Sequence, residues 1–191
     1  MSSENELLWT PSTERIEQSR MYDYMRWLER EKSLKFDEYS TLWQWSVDHL
    51  EDFWESIWQY FDIKSSKPYT AVLDAHKMPG AKWFDGAHLN FAEQVFRFNT
   101  GIEEGKQPAI IAQSELRPLS ELSWNDFRAQ VTTLAHSLRE LGIQPGDRVA
   151  AYMPNIPETA VAFFACASIG AVWSSCSPDM GSAGVVDRFR Q

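Results

Sequence analysis

The sequence predicts an α/β protein. It reads as a helical N-terminal extension (1–64), a mostly irregular surface-wrapping segment (65–107), and the start of an open, mostly parallel sheet with flanking helices (108–191). Three observations predict this. Apolar residues recur at three- and four-residue spacing through the first part. Pro, Gly, Asp and Asn punctuate the second. After Pro108, short apolar runs alternate with helix-length segments, the rhythm of βαβ units.

The first part carries six of the nine Trp: Trp9, Trp27, Trp43, Trp45, Trp54 and Trp58. "SRMYDYMRWLEREK" places Met21, Tyr24, Met25 and Leu28 on one helical stripe. "EYSTLWQWSV" reads as a second helix. A third is expected to open on a capping box of Asp48 and Glu51, with Leu50, Phe53, Trp54, Ile57, Trp58 and Phe61 on its apolar face. An aromatic stripe of this kind packs against something large. In the second part, "NFAEQVFRF" reads as a short helix capped by Asn90, and Trp83, Phe84 and Phe91 are the expected anchors.

In the third part, "PAIIAQ" is a strand and "SELSW" a short returning one. Ser123, with Asp126 three residues on, opens a helix that Gly142 ends. "RVAAYM" reads as a buried strand, Pro157 starts a helix that Gly170 ends, and "AVWSS" is the next strand. The loop "CSPDMG" then leads to a final helix with Ser182 as its expected cap.

Net charge is −9, of which the first 64 residues, with 14 acidic and 7 basic side chains, carry −7. An acidic chain without a basic run does not suit nucleic acid or an anionic membrane. The two cysteines, Cys166 in an apolar helix and Cys176 in a loop, are expected as free thiols of a reducing compartment. The four His lack metal-ligand spacing, so no metal site is expected. The N-terminus lacks a signal-peptide pattern and the longest apolar stretch, Ala160–Trp173, is too short to span a bilayer, so the reading is cytoplasmic.

Open parallel sheets bind ligands at the carboxyl ends of their strands. Here those ends are Met153, Pro154 and Asn155, and the stretch "SSCSPDMG". A phosphate loop is disfavoured in the latter: the last lysine is Lys106, and Asp179 adds negative charge. Cys176 or Ser177 as nucleophile needs a base, and His136 sits on a helix among leucines. No catalytic set is complete, and no catalytic residue is assigned.

"GDRVAAYMPNIPETAVAFFACASIGAVWSSCSPDMG" resembles the adenylate-forming acyl-CoA synthetases. "WSVDHLEDFWESIW" and "MPGAKWFDGAHLNFAEQVFR" resemble the N-terminal region of the short-chain members. "LWTPS", "SRMYDYMRWL" and "GAVWSSCSPDMG" look most like the branch that activates acetoacetate. The resemblance implies a two-step ligase: ATP, with Mg²⁺, converts the acid to an acyl-adenylate and pyrophosphate, and coenzyme A then takes the acyl group. It implies that residues 108–191 begin the AMP-binding domain. It places Ser177, Pro178 and Asp179 where relatives line the coenzyme A channel, although acetate-type relatives carry a Phe-Gly-Gly-Phe-like stretch there. The family's Pro-Lys-terminated loop, ribose-anchoring acid and C-terminal Lys are not among these residues. The expectation is therefore an N-terminal fragment, inactive by itself, binding no cofactor tightly, and self-associating through an exposed sheet edge. The alternatives are an acetate- or propionate-type synthetase fragment, or a non-catalytic aromatic-rich interaction module.

Overall fold

A computed structural model describes residues 8–190. It divides into two compact units, Met1–Ala87 and His88–Gln191, so the division falls inside the segment 65–107.

The N-terminal unit holds α1 (Thr13–Glu17), α2 (Arg20–Lys32), α3 (Tyr39–Asp48), α4 (Leu50–Tyr60) and an antiparallel hairpin of β1 (Ala71–Leu73) and β2 (Trp83–Asp85). Ser12 and Ser19 cap the first two helices by accepting the amides of Arg15 and Tyr22. The α2 stripe buries Tyr24, Met25 and Leu28 against Leu42 of α3, with Trp27, Trp45, Phe53, Ile57 and Tyr60 packed around them. Met21, expected on that stripe, lies at its open end and is exposed. The buried Ser56 hydroxyl donates to the Phe53 carbonyl, so the Tyr24 hydroxyl, 2.5 Å away, must be its donor. Burial pushes the Tyr24 phenol above its ordinary value.

The expected capping box at Asp48 is absent. Helix α3 runs through Asp48, whose carboxylate takes the Gln44 side-chain amide at 2.9 and 3.0 Å, and His49 forms the junction to α4 without a side-chain cap. Two helices meeting at a single residue leave Asp48 inside the first, where a one-turn partner outcompetes a capping role. The stripe of α4 is divided between two neighbours. Phe53 and Ile57 join the helical core, while Trp54 meets Trp83 and Trp58 meets Phe84, with ring centroids 5.8 and 4.6 Å apart. Phe61, one residue past the helix, is exposed. Phe84 has φ +48°, a left-handed conformation unusual for a bulky residue.

Tyr69 donates its hydroxyl to Glu55 at 2.8 Å, and burial together with that carboxylate pushes its pKa up to about 12. A folded pKa above the unfolded one means the native state holds its proton longer, so stability is intact below pH ~10 and falls towards pH ~12. Alkaline unfolding monitored by tyrosinate absorbance is expected to show this loss, and Tyr69→Phe to flatten it.

The C-terminal unit holds α5 (Phe91–Phe96), a 3₁₀ turn (Glu104–Lys106), β3 (Pro108–Ala112), β4 (Ser120–Ser123), α6 (Trp124–Glu140), β5 (Arg148–Tyr152), α7 (Pro157–Ser168), β6 (Val172–Cys176) and α8 (Ser182–Phe189). Its core is the α6–α7 contact: Phe127, Val131 and Ala135 against Val161, Ala165 and Ile169, with Phe96 and Phe164 alongside. Asn90 serves two helices. Its side-chain oxygen accepts the Glu93 amide, capping α5, and its NH₂ donates to the Ala167 and Ser168 carbonyls at 3.0 and 3.3 Å, at the end of α7. Phe91 stacks on Phe164 of α7 at 5.6 Å. Ser123 accepts the Asp126 amide and caps α6 as expected. Gly170, at φ +77°, ends α7, and a β-carbon there would press on Pro145 at 3.3 Å.

The α/β class is the one observed, with two refinements. Strands β3 and β4 form an antiparallel hairpin of their own, whereas β5 and β6 pair in parallel across α7, from Arg148↔Val172 to Tyr152↔Cys176. The segment read as a buried strand, β5, alternates: Val149 and Ala151 are half-buried and Arg148, Ala150 and Tyr152 exposed. One face of this two-stranded sheet is packed and the other open, and alternation follows. At the chain's last helix, Gly181 occupies the cap position and Ser182 is the first helical residue, with no side-chain cap. No helix among the described residues is long and apolar enough to cross a membrane.

Candidate ligand-facing site at the strand ends

The parallel register brings the ends of β5 and β6 level, and the ladder continues one step beyond them through the Met153 amide to the Cys176 carbonyl at 3.1 Å. Two loops leave from this edge. The first, 153–156, turns into α7, where Thr159 Oγ1 donates to the Pro154 carbonyl at 2.7 Å and Pro157 takes the first helical position. The second, 177–181, leads to α8.

Ser177, Pro178 and Asp179 are all exposed on the second loop. The Ser177 hydroxyl donates to the Asp179 carboxylate, which together with the residue's own amide holds that carboxyl below its ordinary value. The turn is closed locally by the Met180 amide on the Ser177 carbonyl at 3.1 Å. Cys176 is not a loop residue, as the sequence suggested, but the last of β6. It is 2% exposed, because strand pairing turns it inward. Cys166 is likewise buried, and burial raises its thiol pKa. His136 is exposed on α6 and faces Glu140 at 3.3 Å.

Two side chains that the sequence did not single out shape this edge. Tyr152, at the end of β5, places its hydroxyl 2.6 Å from the Pro178 carbonyl and 2.8 Å from that of Met180. Arg117, in the turn between β3 and β4, donates from one nitrogen, Nη1, to both oxygens of Glu158 at 2.8 and 3.0 Å. Glu158 lies in the first turn of α7, and the local amide and then Arg117 hold its carboxyl below the ordinary value.

The arrangement is an exposed rim at the strand ends without a phosphate cradle. Its loop offers one carboxylate and no lysine. Comparison with known proteins gives this rim its context. Residues 39–95 match the family described as acetyl-coenzyme A synthetase N-terminus, and residues 103–191 the family described as AMP-binding enzyme. The solved acetoacetyl-CoA synthetase from Streptomyces lividans superposes on 97% of this chain with a TM-score of 0.90 at 41% identity.

The chain is homologous to the N-terminal part of acetoacetyl-CoA synthetases.

Acetoacetyl-coenzyme A synthetase of Rhizobium meliloti is 40% identical over 96% of the chain, and that of Xenopus tropicalis 36% identical over 98%. A malonamoyl-CoA synthetase of Penicillium aethiopicum is 35% identical over 97%. Against the acetoacetyl-CoA synthetases the chain spans 28% of their length.

Proposed function

We propose that this chain forms the N-terminal portion of a ligase that converts acetoacetate, ATP and CoA to acetoacetyl-CoA, AMP and pyrophosphate through an acyl-adenylate. The observation that carries the reading is likeness over nearly the whole chain, both units included, to an acetoacetyl-CoA synthetase structure at 41% identity. In this reading residues 8–87 are scaffold, and the rim of β5 and β6 belongs to the AMP-binding domain. Ser177, Pro178 and Asp179 then form part of the wall past which CoA reaches the adenylate. Position supports that role: the three are exposed and follow the carboxyl end of a parallel strand.

Among the described residues no three His, Cys, Asp or Glu side chains converge for a cation, and the one carboxylate of the loop is already engaged by Ser177. A cytoplasmic location, and self-association of residues 1–191 through the open β5–β6 edge, belong to the same proposal.

The likeness to a malonamoyl-CoA synthetase favours a second reading within the same chemistry, since malonamate, like acetoacetate, carries a carbonyl at its third carbon. The test is thioester formation by the protein expressed from its own gene, with acetoacetate, malonamate, acetate and propionate. Acetoacetate is expected to give the highest kcat/KM, exceeding acetate and propionate by about tenfold or more, the discrimination that pairing one substrate carbonyl supplies. A preference for malonamate moves the reading to the second acid, and one for acetate or propionate overturns both. Residues 1–191 expressed alone are expected to show no acid-dependent ATP–pyrophosphate exchange.

A further inference from the structure

We infer that Tyr152 is a positioning residue: its hydroxyl fixes the shape of the loop 177–181 and thereby the approach of CoA. The second half of this inference rests on the channel reading above.

The alternation of β5 turns the Tyr152 ring to the open face of the sheet, where it is 51% exposed. Pairing with Cys176 sets it beside the start of the loop. The phenol oxygen lies between two backbone carbonyls, Pro178 at 2.6 Å and Met180 at 2.8 Å. A phenol has one proton, so the two carbonyls share it in a three-centre bond. Those carbonyls belong to the 178–179 and 180–181 peptide groups, so the bond holds the backbone at two points that bracket the segment carrying Asp179. Tyrosine suits this role because its ring has only two side-chain torsions, so little freedom is lost in reaching across.

The other hydrogen bonds described for the loop are local. The Met180 amide reaches the Ser177 carbonyl, the Ser177 hydroxyl reaches Asp179, and the Val185 amide reaches the Gly181 carbonyl at the start of α8. Tyr152 supplies contacts from 26 and 28 residues away. No residue of the loop is fully buried and only Met180 is half-buried, so this tie adds little to a core. What it determines is the outline of an exposed rim at the strand ends, which is where a shape requirement of a ligand would act.

The test compares the wild-type protein, expressed from its own gene, with Tyr152→Phe, which removes only the hydroxyl, and with Tyr69→Phe, which removes a hydroxyl in the other unit. Three quantities are read: amide hydrogen exchange at 179–181, KM for CoA in thioester formation with the best acid, and acid-dependent ATP–pyrophosphate exchange, which does not require CoA. Losing this bond is expected to speed loop exchange by about five- to tenfold and to raise KM for CoA by about fivefold. Pyrophosphate exchange stays within about twofold, and Tyr69→Phe changes none of the three by more than that. Unchanged loop exchange in Tyr152→Phe overturns the positioning role. Faster loop exchange with an unchanged KM for CoA overturns the placement of this loop on the CoA path. Thioester formation and pyrophosphate exchange falling together at constant KM mean a damaged fold and also overturn the inference. Should the wild-type protein form no thioester with any of the acids, the ligase reading fails, and hydrogen exchange alone still decides whether Tyr152 holds the loop.

Discussion

Phe127→Ala is expected to destabilise the C-terminal unit by about 3–5 kcal/mol, the range for truncating a buried aromatic side chain. Phe127 is 3% exposed and sits where α6 meets the rest of its unit. Its ring centroid lies 5.2 Å from that of Phe96 and 5.3 Å from that of Phe164, so one truncation strips contacts from α5 and α7 together. Small residues, Ala135 and Ala165, close the same helix pair, and they cannot swing in to refill the space. Urea unfolding checks this: the midpoint should fall with the slope unchanged. Phe127→Leu, which keeps most of the volume, should lose under half as much, about 1–1.5 kcal/mol. Equal losses for the two variants would show that the ring's shape, rather than its bulk, holds the site.

Leu28→Ala is expected to cost the N-terminal unit about 2–5 kcal/mol. Leu28 has no exposed surface and lies in the buried cluster of Tyr24, Met25 and Leu42. Trp27, Trp45 and Tyr60 ring that cluster, so near-ultraviolet circular dichroism reports on it directly. The variant should lose part of that signal at a lower temperature than the wild type. Ile16→Ala, at an exposed position of α1, should move the transition by less than about 0.5 kcal/mol. If Leu28→Ala melted with the wild type, the α2–α3–α4 cluster would not be the core of its unit.

The sequence disclosed local chemistry well and long-range chemistry poorly. Asn90 and Ser123 could be read as caps because cap and target are three residues apart. Asp48 and Ser182 carried the same pattern and failed, because the neighbouring helix claimed the first and Gly181 already held the turn at the second. The strand β5 was read as buried from its apolar letters, whereas its environment depends on what lies on each face of the sheet, which letters do not encode. At the candidate site, the loop could be located from βα alternation. The part played by Tyr152 could not, because its partners are backbone carbonyls, and any residue would supply those. Arg117 and Glu158 were hidden for a related reason: 41 residues separate them, and no spacing rule joins them.

Phe84 carries a consequence of a different kind. An aromatic residue in left-handed backbone is held against a penalty of about 1–3 kcal/mol by its surroundings. Those surroundings are the rings of Trp58 and Tyr69. A hairpin of two three-residue strands has no reserve of its own to offset such a cost. The hairpin is therefore a client of α4. Its bend is held by rings that α4 and the approach to β1 present to it, so truncating Trp58 should free the hairpin before it disturbs the helical cluster around Leu28.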